Sequence, residues 1–267
     1  MTTQDLINAL LEQRRLQING NVYWQTQIDL AYNSNRIEGS QLTHEQTRYI
    51  FETQTISGEN VPVDDVVEMK NHFRMFYYML DHFKEPVSVE TIQSYQAILK
   101  AGTFMSEDPK MNVGGWKLIP NAVGNTTTSL PGQVDNDVRA LLAAYNRHVE
   151  SGHEVTLTQI AAFHAQFEAI HPFLDGNGRT GRIIMFHQCL QAGLIPPIVM
   201  DKTKAAYYAG LDRWQNHNDS KPLLDYLEEC QADYRSECEF LLEGKGKDLS
   251  GRKPADVGYE DIFKADE

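Results

Sequence analysis

Residues 171–182 constrain this chain more than any other stretch. They hold one imidazole, one carboxylate, one carboxamide, two guanidinium groups and three glycines, and residues 183–186 continue as an apolar run. Glycines let backbone N–H groups come close to a ligand, and the N-terminus of a helix favours an anion. A glycine-rich turn that opens a buried helix therefore predicts a phosphate site.

The charged side chains of this stretch fit the same interpretation. Arg179 and Arg182 are three residues apart, so both guanidinium groups can turn toward one polyanion. Asp175 lies beside them, where a divalent cation that bridges phosphate oxygens would account for a carboxylate. His171 falls at the end of a preceding helical pattern, where its imidazole can accept a proton. A glycine turn with scattered charges could explain any one of these residues, but not all of them together.

The stretch resembles the signature of the Fic family, His-Pro-Phe-x-Asp-Gly-Asn-Gly-Arg-x-x-Arg, at every specified position. The resemblance implies transfer of AMP, usually from ATP, to a Ser, Thr or Tyr hydroxyl of a protein. By this resemblance His171 would be the base, and Asp175 would hold Mg²⁺ between the α- and β-phosphates. The phosphate-binding residues would be Gly176, Asn177, Gly178 and Gly181 near the α-phosphate, with Arg179 and Arg182 on the β- and γ-phosphates.

A second stretch resembles the inhibitory motif of the same family, Ser/Thr-x-x-x-Glu-Gly/Asn. It ends a predicted helix over residues 22–39 and includes Ser34, Glu38 and Gly39. By the resemblance Glu38 would pair with Arg182 and obstruct productive ATP binding. The ordinary alternative is a solvated glutamate before a glycine that caps a helix.

The region of residues 114–124 is where the helical pattern is lost, and it predicts two short strands about a Pro-Asn turn. The alternative is a connecting loop. In Fic-like proteins a hairpin flap here docks the target by strand addition. Trp116 and Lys117 stand where the family often has Tyr or Phe and Arg, so they are the candidate docking residues.

The aromatic pair Tyr207-Tyr208 resembles part of the adenine pocket of the family, with Tyr208 as the candidate contact. Core packing explains the pair nearly as well. Many members place an Asn seven residues after the second Tyr, where this chain has Gln215.

Composition limits the partners. Lys and Arg number 24 against 37 acidic residues, a net charge of −13, which argues against nucleic-acid binding through a broad basic surface. The chain has no apolar run long enough to span a membrane and does not open with a signal-peptide pattern, so we expect a cytoplasmic protein. The cysteines, which lack metal-ligand spacing, are expected to be reduced packing residues: Cys189, Cys230 and Cys238.

The helical patterns predict an all-α fold, a Fic-like helical bundle with a small β-hairpin flap. Residues 1–243 would form a single domain, and residues 244–267 a loosely ordered charged tail. The resemblance covers about residues 22–242.

The function expected from the sequence is a protein adenylyltransferase. It would use ATP and Mg²⁺, would act on an unknown protein hydroxyl or on itself, and would be autoinhibited by Glu38. One alternative reverses the chemistry, with Glu38 activating water to remove AMP. A third interpretation is a non-catalytic nucleotide sensor, which would not need His171. A homo-oligomer is compatible with the sequence.

Overall fold

The computed structural model describes residues 1–16, 18–123 and 126–244. Ten α-helices follow one another in this part of the chain: α1 Thr3–Leu16, α2 Val22–Ile37, α3 His44–Thr53, α4 Val63–His82, α5 Val89–Lys100, α6 Val134–Glu150, α7 Leu157–Ile170, α8 Asn177–Gln191, α9 Lys204–His217 and α10 Lys221–Leu242. The strands β1 Ala122–Val123 and β2 Thr126–Thr127 form one antiparallel pair. The all-α prediction is confirmed for the described residues.

The two helices that enclose the motif have clear local signals. Thr156 and Gln159 form a capping box at the start of α7, which satisfies backbone donors that the first turn leaves free. Gly176, with φ 88°, is the N-cap of α8. Gly and few other residues adopt this left-handed conformation easily, so the sequence sets where α8 begins.

Helix α8 is the centre of the molecule and packs against α2, α4, α5 and α7. Every residue from Arg179 to Leu190 is buried. Because a buried helix offers no water to its polar side chains, each charge near its start needs a partner from a neighbouring helix. This requirement shapes the candidate site.

The predicted hairpin about the Pro-Asn turn is wrong in position. Residues 114–121 form turns and irregular backbone, and the short strand pair follows them. The reason is that this segment bonds to the motif loop instead of to itself: the backbone N–H of Lys117 donates to the carbonyl of Pro172 at 2.8 Å. Gly124, the last residue of the predicted flap, lies outside the described residues, as do residues 245–267 of the predicted tail.

Among the described helices, none is both long enough and apolar enough to cross a membrane.

Candidate active site

The motif loop joins α7 to α8 and begins at His171. This residue is the C-cap of α7 with φ 50° and ψ 63°, and its backbone N–H donates to the carbonyl of Phe167 at 3.0 Å. The left-handed conformation is uncommon for a residue other than glycine. It turns the chain sharply out of α7, so that His171 and Asp175 lie at the two ends of a short loop before α8.

The imidazole of His171 is half-buried. Its Nδ1 lies 2.9 Å from Nδ2 of Asn121 and 3.2 Å from Nδ2 of Asn177. Burial, and next the charge of Lys117, lower the pKa of His171 to about 4. The ring is therefore neutral at neutral pH and has one nitrogen that can accept a proton.

Asp175 presents a partly solvent-accessible carboxylate at the other end of the loop, with a side chain that is 41% exposed. Its Oδ1 accepts from the backbone N–H of Gly176 at 2.6 Å, and its Oδ2 accepts from Nζ of Lys100 at 2.6 Å. Burial alone would raise the pKa of Asp175, but Arg179 and Lys100 lower it overall. The group is thus an ionised oxygen ligand, the kind that Mg²⁺ prefers.

No cluster of three or more His, Cys, Asp or Glu side chains that could enclose a metal ion occurs among the described residues. An ion at Asp175 would therefore take its remaining ligands from phosphate oxygens and water, as Mg²⁺ commonly does at nucleotide sites. The donor set fits such an ion.

Arg179 belongs to a charge cluster at the start of α8, which we define as Glu68, Lys100, Asp175 and Arg179. Glu68 of α4 accepts from both Lys100 and Arg179. Arg179 also donates to Oδ1 of Asn35 at 3.2 Å, and both cations of the cluster are at most 4% exposed. Arg179 is therefore directed at α2 and α4 rather than at open solvent.

Arg182 is held by α2. Its Nε donates to Oγ of Ser34 at 2.9 Å, and its Nη2 donates to the carbonyl of Ser34 at 2.9 Å and to Oε1 of Glu38 at 2.6 Å. Burial by itself would lower the pKa of Arg182, but the carboxylate of Glu38 raises it. The structure thus brings Ser34 and Glu38 onto Arg182, the guanidinium that the family resemblance pairs with Glu38.

The carboxylate of Glu38 also lies over the start of α8. A Cβ added to Gly178 would collide with it, and the next-nearest atom would be a guanidinium nitrogen of Arg182, at 3.0 Å. Gly39, with φ 100°, ends α2 at this point in a conformation that glycine adopts readily. A carboxylate therefore occupies the region where the sequence predicts a phosphate.

Two predicted ligand contacts have other partners in the structure. The side chain of Asn177 spans the motif loop: Oδ1 accepts from the N–H of Phe173 at 2.8 Å and Nδ2 donates to its carbonyl at 2.9 Å. The ring of Tyr208 is 44% exposed, and its hydroxyl donates to the carbonyl of Ile37 at 3.3 Å. Tyr208 therefore lies at the end of α2, beside the inhibitory residues.

The candidate docking residues contact the motif loop and its surroundings. Lys117 is 1% exposed, and its Nζ donates inward to Oδ1 of Asn121 and Oγ1 of Thr128 at 2.6 and 3.0 Å. Trp116 packs against Phe173, with the ring centroids 5.3 Å apart. Both side chains support the motif loop because they pack beneath it.

Sequence reasoning missed Glu68, Lys100 and Asn121. Lys100 ends α5 and resembles an ordinary basic residue near a helix C-terminus, and Glu68 resembles a solvated position in α4. Only the packing of α4 and α5 against α8 shows that Glu68 and Lys100 contact the site.

Known proteins are similar to this chain in sequence and in fold. The profile of the Fic/DOC family matches residues 86–189. A curated relative, the protein adenylyltransferase Fic of Drosophila melanogaster, is 27% identical over 206 residues, which are 74% of this chain and 39% of that protein. The chain thus spans about two fifths of the length of the curated relatives it matches.

Two solved structures have the same fold. A Fic domain containing signalling protein from Bacteroides thetaiotaomicron gives a TM-score of 0.75 at 23% identity, covering 84% of this chain and 90% of that one. Fic-1 of C. elegans, residues 134–508, gives 0.67 at 21% identity, covering 89% and 70%. Residues 86–189 match the Fic/DOC family, the sequence relatives carry the same family name, and the solved structures share the fold.

Proposed function

We propose that this chain is a protein adenylyltransferase, which moves AMP from ATP to a Ser, Thr or Tyr hydroxyl of a protein or of itself. The observation that carries the proposal is the motif loop, which places the imidazole of His171 and the carboxylate of Asp175 at its two ends, beside the first turns of α8 that hold the buried Arg179 and Arg182. The name of the Drosophila relatives supports it.

The site residues have separate roles in this reaction. The hydroxyl oxygen forms a bond to the α-phosphorus, the bond to the pyrophosphate oxygen breaks, and the hydroxyl proton passes to His171. Such general-base assistance contributes about 10²- to 10⁴-fold. Mg²⁺, when bound, would neutralise phosphate charge, and Asp175 would hold it. The N–H groups at the start of α8 and the two arginines would bind the phosphates.

We further propose that Glu38 is an inhibitory residue. Its ion pair with Arg182 engages a guanidinium that the γ-phosphate would need, and its carboxylate lies over Gly178, where a phosphate would meet negative charge. ATP bound beside this carboxylate would place its α-phosphorus out of line for attack, which is costly because productive geometry supplies much of the rate.

The same placement supports a second candidate, the removal of AMP from a modified protein. The Glu38 side chain remains 29% exposed although it is ion-paired, so it can reach water at the site. A carboxylate there could take a proton from water that attacks the phosphodiester.

The proposed transfer can be tested by intact mass measurement. The purified chain, as wild type and as Glu38→Gly, is incubated with Mg²⁺ and each of the four common nucleoside triphosphates. We expect the mass of one or more AMP groups to be added with ATP, and His171→Ala to abolish the addition. His153→Ala, which changes an exposed histidine in the loop before α7, is the matched control. Labelling of His171→Ala at the rate of its parent would refute the mechanism.

A further inference from the structure

A buried lysine and an asparagine lie beneath His171, and the proposed chemistry does not use them. Nζ of Lys117 lies 3.4 Å from the carbonyl of Ile170, and the backbone N–H of Lys117 donates to the carbonyl of Pro172. Lys117 is thus anchored on both sides of His171. Burial lowers the pKa of Lys117 to about 8, which leaves the amine mainly protonated at neutral pH.

The amide of Asn121 can have only one orientation here. Nζ of Lys117, 2.6 Å away, has hydrogens but no acceptor, so the amide atom that faces it must be the oxygen. The carbonyl of Phe173, 2.8 Å from the other amide atom, can only accept, so that atom must be the nitrogen. The second hydrogen on this nitrogen is directed at Nδ1 of His171, 2.9 Å away.

Asn177 reaches the same imidazole nitrogen with the same polarity. Its oxygen is fixed by the N–H of Phe173 and its nitrogen by the carbonyl of Phe173. Its Nδ2 lies 3.2 Å from Nδ1 of His171. Two amide donors thus face one ring nitrogen. A neutral imidazole has one donor and one acceptor nitrogen, so Nδ1 must be the acceptor.

We infer that Lys117 and Asn121 are positioning residues that hold neutral His171 in the tautomer with its proton on Nε2. The ammonium of Lys117 determines the orientation of the Asn121 amide, and the amide nitrogen in turn determines which nitrogen of the His171 ring carries the proton. Replacing the amide by a carboxylate, as in Asn121→Asp, would give Nδ1 an acceptor and would move the proton from Nε2 to Nδ1.

The consequence for catalysis rests on the proposed function. An imidazole with its proton on Nε2 can donate at that nitrogen but cannot take a proton there. AMP transfer through Nε2 therefore needs the Nδ1–H tautomer, which requires the amides of both Asn121 and Asn177 to move away from Nδ1. Removal of AMP does not need a base at His171: water forms the new bond to phosphorus and yields its proton to Glu38, the bond to the protein oxygen breaks, and that oxygen takes a proton from solvent while the Nε2–H of His171 donates a hydrogen bond to it. The resting chain is then restrained from transfer at His171 as well as at Glu38.

Nitrogen-15 NMR of the full chain tests the inference without nucleotide. The histidine side chains are labelled, His171 is assigned by the signal that His171→Gln lacks, and long-range spectra at neutral pH show which ring nitrogen carries the proton. We expect Nε2–H in the wild type and Nδ1–H in Asn121→Asp, with the titration midpoint of His171 raised by about 1 to 3 pH units. A wild-type proton on Nδ1, or an unchanged tautomer in Asn121→Asp, would overturn the inference.

Lys117→Met and Lys110→Met form the matched pair, since Lys110 is an exposed lysine of the same segment. We expect Lys117→Met to loosen the amide of Asn121, so that a minor Nδ1–H signal accompanies the Nε2–H tautomer that Phe173 and Asn177 still favour, and we expect Lys110→Met to keep the wild-type spectrum. Unchanged signals of the other histidines show that each variant is folded. Because the spectra need no activity, they stand even if the chain transfers no AMP. In a Glu38→Gly background, Asn121→Asp should increase the transfer rate severalfold, and a decrease would argue that the carboxylate does not assist the base.

Discussion

Arg182 already has hydrogen-bond and ion-pair partners that it would have to exchange in order to bind a phosphate. Its nitrogens donate to Ser34 and Glu38, and the partly buried Glu168 is near enough to raise the pKa of Arg182 as well. A guanidinium in a buried ion pair must exchange one partner for another to bind phosphate, because leaving either charge unpaired away from water is costly. The exchange of Glu38 for a γ-phosphate is therefore the step at which inhibition acts.

This argument predicts the behaviour of Glu38→Gly. Removing the carboxylate frees Arg182 for the γ-phosphate, and we expect AMP transfer to rise about tenfold or more, the equivalent of one charge-assisted hydrogen bond. Intact mass against time, at fixed ATP and Mg²⁺, measures the rate.

The Arg182→Ala background is the control for this prediction. Since inhibition and the phosphate contact share one guanidinium, Glu38→Gly should have little effect there. A Glu38→Gly variant that transfers AMP more slowly, or that only loses the ability to remove AMP from a modified protein, would assign Glu38 to the reverse reaction instead.

Individual residues differ in how far the sequence could predict them. One short stretch contains His171, Asp175 and Arg182, so their spacing alone predicts that they act in one site. Lys117 was expected on a docking surface. Its burial depends on the residues that pack around it, and these cannot be predicted from the local sequence Gly-Trp-Lys. The orientation of Asn121 depends on Lys117 and Phe173 together.

At the scale of elements, the helices were predictable because caps, glycines and apolar spacing are local signals. The strand pair was misplaced because its position depends on a tertiary bond, the one from the N–H of Lys117 to Pro172. The places where two helices cross are likewise not predictable from the apolar spacing of either helix alone. α9 and α10 pack closely at Gly210, where an added Cβ would meet backbone atoms of Leu223 at 2.9 and 3.0 Å.

This crossing predicts that Gly210→Ala destabilises the fold. Alanine would gain about 1 kcal/mol of helix propensity, but the clash with backbone atoms forces the two helices apart, which typically costs about 1–3 kcal/mol. We expect a net loss, seen as a lower urea midpoint. Gly132→Ala is the matched control, since its Cβ would meet nothing within 4 Å. Equal midpoints for the two variants would show that the helices can adjust freely.

At the scale of the whole molecule, the interior holds neutral histidines that water cannot reach. Burial is the first cause that lowers the pKa of each one, to about 3 for His72 and His164 and to about 4 for His187. In the unfolded chain the pKa of a histidine is about 6.5. Below that pH the unfolded state binds protons that the folded state refuses, so the free energy of unfolding falls as the pH falls. Each histidine contributes about 1.4 kcal/mol per pH unit.

Glu168 opposes this trend, because burial raises its pKa to about 8 and the folded state then keeps a proton that the unfolded state loses. Glu237 acts in the same direction as Glu168, because burial raises its pKa to about 7, while His171 is a fourth histidine with a lowered pKa. Four histidines less two glutamates leave about two protons, or roughly 3 kcal/mol per pH unit between about pH 6 and pH 5. Urea denaturation at several pH values measures this slope. His187→Gln should reduce it by about 1.4 kcal/mol per pH unit, whereas His153→Gln, at an exposed position, should not. A slope that His187→Gln leaves unchanged would mean that this histidine is already protonated in the folded protein, and that its hydrogen bonds to Tyr95 and Glu85 stabilise the charged ring.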